Sequence, residues 1–91
     1  MTEISQLVRI SNRRGLHARA SAKFVTLASG LPAQITVRKD GSPAVTGTSI
    51  MGLMMLGAAM GDSITICAQG PEAEESLGKL ISLVEDKFGE E

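Results

Sequence analysis

Tryptophan and tyrosine are absent from this 91-residue chain, and phenylalanine occurs only at Phe24 and Phe88. A platform that stacks the bases of single-stranded nucleic acid therefore lacks its parts. A formal net charge of −1 offers no bulk attraction to a polyanion either. Cysteine occurs once, as Cys67 within the alternation Ile64, Ile66, Ala68, so a disulfide has no second half and a small strand residue is expected. No second histidine, paired cysteine or local carboxylate accompanies His17, so neither a metal site nor a cofactor is expected. The longest apolar-rich run, residues 50–60, is interrupted by Gly52 and Gly57 and falls short of the roughly 20 residues that span a bilayer. Met1-Thr2-Glu3 lacks the positive start of a secretory signal. A cytoplasmic location without membrane insertion is the expectation.

Acids are missing from one part of the chain and abundant in the rest. Residues 4–39 contain no acid but seven bases: Arg9, Arg13, Arg14, Arg19, Lys23, Arg38 and Lys39. Residues 40–91 carry nine acids against Lys79 and Lys87 alone, so the two stretches sum to +7 and −7. An acidic partner surface would suit the positive stretch. A length of 91 residues with 43% apolar content fits one core, and residues 1–91 are expected to form a single domain.

Alternation over residues 4–10 predicts a strand with Ile4, Gln6, Val8 and Ile10 on one side and Ser5, Leu7 and Arg9 on the other. Asn12 to Gly15 break it. Residues 18–29 carry Phe24, Val25, Leu27 and Ala28 at helical spacing, and Gly30, read as a left-handed residue, followed by Pro32 supplies the stop. Residues 34–39 alternate again, Asp40-Gly41 signals a hairpin, and a short return strand is expected near residues 44–46. Thr48 and Ser49 can cap a short helix from Ile50 to Leu56. Its Ile50, Met51, Leu53, Met54, Met55 and Leu56 cannot all face inward, so part of this set should be exposed. A strand over residues 62–68 and a helix opened by Gly70-Pro71, with the stripe Ala73, Leu77, Leu80, Ile81, Val84 and Phe88, complete the order. Strands joined by a hairpin and by helices predict an antiparallel or mixed sheet with helices on one face, an α+β two-layer domain.

Within Gly15-Leu16-His17-Ala18-Arg19-Ala20 the one histidine falls at the N-cap of the first helix, where Ser, Thr, Asp or Asn would be expected on stability grounds. The helix end and Arg19 favour a ring with no charge of its own and a free lone pair. Once a phosphoryl group is attached, the same amides and guanidinium can bind its oxygens. Three functions compete. A phosphate carrier needs only this arrangement. A self-contained enzyme needs partners for the imidazole, yet Glu3 is the only carboxylate in the first 39 residues. A pure interaction module would rest on the methionine-rich short helix, since flexible Met side chains suit a surface that docks several partners.

The stretches Gly15-Leu16-His17-Ala18-Arg19 with Ala22-Lys23-Phe24-Val25, and then Ser49-Ile50-Met51-Gly52-Leu53-Met54-Met55-Leu56-Gly57, resemble the HPr phosphocarrier family of the bacterial phosphoenolpyruvate-dependent phosphotransferase system. The resemblance runs essentially end to end, with both motifs in order. It implies an open-faced β-sandwich of four antiparallel strands in the order 1-4-2-3, with three helices on one face. By the same resemblance His17 takes phosphate from phosphorylated enzyme I on Nδ1 and passes it to a IIA protein or domain. Arg19 and the amides of Ala18 and Arg19 bind the phosphoryl group. Leu16, Ile50, Met51 and Met54 form the docking surface, and Ser49 matches the serine modified by HPr kinase/phosphorylase. The chain would be a monomeric carrier and not an enzyme. Ala20 stands where the family usually has proline, which should leave the first turn slightly less preorganised and one more amide near the phosphate. Ala20-Ser21 and Arg13-Arg14 resemble the proteobacterial branch in which the system often regulates metabolism and nitrogen response instead of moving sugars, so the resemblance implies either a sugar-uptake or a regulatory, nitrogen-related role.

Overall fold

The computed structural model describes residues 3–90. The elements run β1 (Glu3–Arg9), α1 (Ala18–Ser29), β2 (Gln34–Lys39), β3 (Val45–Thr46), α2 (Ile50–Met55), β4 (Ser63–Gln69) and α3 (Ala73–Glu85), followed by a 3-10 turn at Lys87–Gly89. Every strand pair is antiparallel, and the sheet order is β1-β4-β2-β3. This is the predicted order 1-4-2-3 with three helices.

The period-2 patterns decide which face is covered. Val8, Ile35, Val37, Ile64, Ile66 and Ala68 all point into the core. Ser5, Leu7, Arg9, Thr36 and Arg38 lie on the other, exposed side, where Leu7 keeps 64% of its surface accessible. In α1 the buried positions Ala20, Ser21, Phe24 and Ala28 recur at helical spacing, and in α3 the stripe is Ala73, Ser76, Leu77, Leu80, Ile81 and Val84. Phe24 and Phe88 are both buried, each contributing on the order of 2–3 kcal/mol of transfer free energy.

Several local expectations change. Gly30 has φ −90 and ψ 0, so it is right-handed; its amide bonds back to the helix and the following Leu31 amide bonds to Ala28, which ends α1 without a left-handed residue. The last helix starts at Ala73, behind a left-handed Glu72 at φ 54, not at Gly70-Pro71. Phe88 is buried as expected but lies beyond α3, in the 3-10 turn. Lys87 and Phe88 both have positive φ, 57 and 54, at a cost of roughly 1–2 kcal/mol each. That turn sends the chain back toward the start of α1.

Candidate functional site

The loop before α1 is held by short-range bonds that leave the histidine at its edge. Asn12 is fully buried, and its Nδ2 donates to the Gly15 carbonyl at 2.8 Å. Gly15 takes φ +62, and the Leu16 amide donates to Ala58 O at 2.9 Å, fixing this loop to the one that follows α2. Ser21 Oγ donates to Leu16 O at 3.2 Å. His17 is the N-cap of α1 with φ −75 and ψ −179, and its carbonyl accepts from the Ser21 amide at 2.9 Å. Its side chain takes no hydrogen bond from the helix amides. The ring is turned elsewhere.

It meets a carboxylate that the local sequence does not supply. Glu90 Oε2 lies 2.5 Å from His17 Nε2, and Glu90 Oε1 accepts from Asn12 Nδ2 at 3.0 Å. The two side chains are 18% and 13% exposed, so the pair is largely shielded from water. Burial pushes the Glu90 carboxyl up, but the hydrogen bonds from Asn12 and His17, with the nearby His17 and Lys23 side chains, together bring it below its usual value. The acid-free neighbourhood read from residues 4–39 therefore ends in space at Glu90. Sequence reasoning missed both partners: Asn12 read only as a strand breaker, and Glu90 carries no signal linking it to a residue 73 positions away.

Arg19 is exposed on the first turn of α1 and lines a cleft of about 400 Å³ with Arg13, Arg14, Lys23, Gly89 and Glu90. Four of the seven bases of residues 4–39 thus line a cleft that Glu90, the partner of His17, also lines. Among the described residues, an anion in that cleft would meet Arg14, Arg19 and Lys23 as well as the Glu90 carboxylate.

The loop behind the site is braced. Asp62 Oδ2 accepts from the Ala59 amide at 2.9 Å and pairs with Lys39 Nζ at 3.1 Å, while Lys39 also donates to Gly57 O at 3.2 Å. The Ala59 amide, with help from Lys39, holds the Asp62 carboxyl below the usual range.

Ser49 caps α2, its Oγ accepting from the Gly52 amide at 2.9 Å. Behind that cap Ile50, Met51 and Met54 are exposed, as expected of part of the set, and Leu53 is fully buried. Leu16 does not join them. At 5% exposure it packs in the core, because the loop tied to Ala58 turns its side chain inward. Met55, also of that set, is exposed at 80%, and Met60 at 58% is exposed as well; neither is among the docking residues that the resemblance implies. Among the described residues no group of three His, Cys, Asp or Glu side chains is placed to hold a metal ion, and no helix is long and apolar enough to cross a membrane.

Comparison with known proteins bears on the family and the fold. A family model described as "PTS HPr component phosphorylation site" matches residues 4–86. The phosphocarrier protein HPr of Cupriavidus necator is 42% identical over 81 residues, covering 89% of this chain and 90% of that protein. The phosphocarrier protein NPr of Shewanella violacea is 40% identical over 90 residues, covering 99% of this chain and 98% of that one. The crystal structure of HPr from Thermoanaerobacter tengcongensis superposes with a TM-score of 0.87 at 44% identity, over 100% of this chain and 99% of that one. Fold, motif order and relatives agree, and the chain belongs to the HPr family of phosphocarrier proteins of the phosphotransferase system.

Proposed function

We propose that His17 carries the phosphoryl group, accepting it from phosphorylated enzyme I and passing it to a IIA protein or domain. The observation that supports this most directly is the engagement of Nε2 by Glu90 at 2.5 Å, beside a cleft lined by Arg13, Arg14, Arg19 and Lys23. With Nε2 occupied, Nδ1 is the nitrogen left to attack phosphorus. The amides of Ala18 and Arg19 at the helix start, with the Arg19 guanidinium, then receive the phosphoryl oxygens. The relatives include both HPr and NPr carriers, so the reading covers a sugar-uptake and a nitrogen-related acceptor.

The exposed face formed by Ile50, Met51, Met54 and Met55 serves as the docking surface. Ser49 lies at its edge, where a phosphoryl group added by HPr kinase/phosphorylase would put charge against an acidic partner. The chain acts in the cytoplasm as a single-domain monomer and as a substrate of its partners, with no turnover of its own.

The test is intact-mass measurement after incubation with enzyme I and phosphoenolpyruvate, before and after mild acid. One acid-labile phosphate is expected on the wild type and none on a folded His17→Ala variant. The same adduct on that variant would sink the assignment.

A further inference from the structure

The chain spends three consecutive left-handed residues, Lys87, Phe88 and Gly89 at φ 57, 54 and 72, on turning back after α3. Phe88 is 1% exposed and pins that turn in the core, and Lys23 Nζ donates to its carbonyl at 2.7 Å. The next side chain, Glu90, arrives at His17 with both oxygens engaged, one by the imidazole and one by the buried amide of Asn12. Asn12 is itself fixed by Gly15 O at 2.8 Å. The carboxylate is therefore oriented by groups other than the ring it touches.

We propose that Glu90 is a positioning residue for phosphoryl transfer at His17, an inference that rests on the reading of His17 as the carrier. In the neutral ring Nε2–H donates to the Glu90 carboxylate, and the lone pair stays on Nδ1. As the Nδ1–P bond forms, the bond from phosphorus to the donor breaks and its electron pair leaves with the donor. Nε2 keeps its proton, so the ring becomes positively charged. Glu90 faces that charge at hydrogen-bond distance, as a carboxylate does behind the histidine of a hydrolytic triad. When the acceptor takes the phosphoryl group, the N–P electron pair returns to Nδ1 and the ring is neutral again. Attack through Nε2 would instead require Glu90 to leave.

The experiment combines ¹⁵N NMR of the imidazole in the unphosphorylated full chain with single-turnover transfer from phosphorylated enzyme I, for wild type, Glu90→Ala and Glu90→Gln. The wild type is expected to hold the Nε2–H tautomer. Glu90→Ala should mix the two tautomers and slow acceptance about tenfold, at the lower end of what outer-shell partners of a histidine contribute. Glu90→Gln should keep the tautomer, since its carbonyl still accepts, but lose most of the rate because it carries no charge. A phosphorylated wild type alongside a Glu90→Ala variant with unchanged rate overturns the inference alone, whatever its spectrum. A wild type that takes no phosphate on His17 overturns the carrier reading and this inference with it. Unfolding of Glu90→Ala would show as collapsed amide dispersion, and Glu90→Gln then decides by its rate.

Discussion

Gly15 lies so close to Ala58 that a Cβ built on it would sit 2.4 Å from the Ala58 carbonyl oxygen and 2.8 Å from the Ala59 Cα. Both neighbours are backbone and cannot swing aside. The glycine also takes φ +62, so a side chain there is penalised twice.

Gly15→Ala is accordingly expected to cost roughly 2–4 kcal/mol, combining left-handed strain with the clash. Because residues 15 and 16 position His17, phosphate acceptance should fall as well. Urea midpoints and acceptance rates measured together check this, and an unchanged midpoint would show that the two loops can part at little cost.

Ser49 separates capping from charge. Ser49→Ala removes the acceptor of the Gly52 amide and should cost about 1 kcal/mol. Ser49→Asp keeps a good capping residue, so stability should hold, yet transfer from enzyme I should slow because charge now borders Ile50 and Met51. Equal slowing in both variants would trace the effect to the cap and not to the charge.

Acid should loosen the molecule through two carboxylates. Asp62 and Glu90 are both held below their ordinary values in the folded chain, so each contributes stability that is full above the unfolded value and fades as pH falls through the folded one. Urea melts are expected to weaken progressively below about pH 4. Asp62→Asn should flatten that fall, and an identical slope in the variant would remove Asp62 from the account.

Cys67 is expected to be a slow nucleophile. Burial, and then the Glu3 carboxylate that accepts from Sγ at 3.2 Å, push the thiol up, against smaller opposing effects of Thr36 and Arg38. Since the thiolate is the reactive form, alkylation near pH 8 should run several-fold slower than for a small free thiol. Glu3→Gln should speed it. A wild-type rate equal to the free thiol would contradict this.

What the sequence discloses here is set by the range over which its patterns act. Helix α1 occupies the predicted residues 18–29 because its apolar spacing and its stop are both local, and the partial exposure of α2 follows from too many apolar residues on too few turns. Leu16, which the resemblance puts on the docking surface, is core because its amide is held by Ala58 in the loop after α2. Glu72, Lys87 and Phe88 adopt left-handed backbone that no propensity would assign to them, since tertiary packing dictates those turns. The pairing of His17 with Glu90 lies furthest from view. It depends on Lys87, Phe88 and Gly89 turning the chain back after α3, and no short-range pattern records that turn.

The position of β4 has a consequence in time. It pairs with both β1 and β2, matching Glu3 and Gln34 alike to Gln69, although it follows them by a long stretch of chain. Contacts of such separation form late. During synthesis at roughly 5–20 residues per second, the histidine emerges seconds before Ala58, which ties its loop, before β4, and before the Glu90 carboxylate that meets its ring. A nascent or truncated chain would display residues 15–20 without that setting, so on the proposed reading phosphate acceptance should require the folded chain.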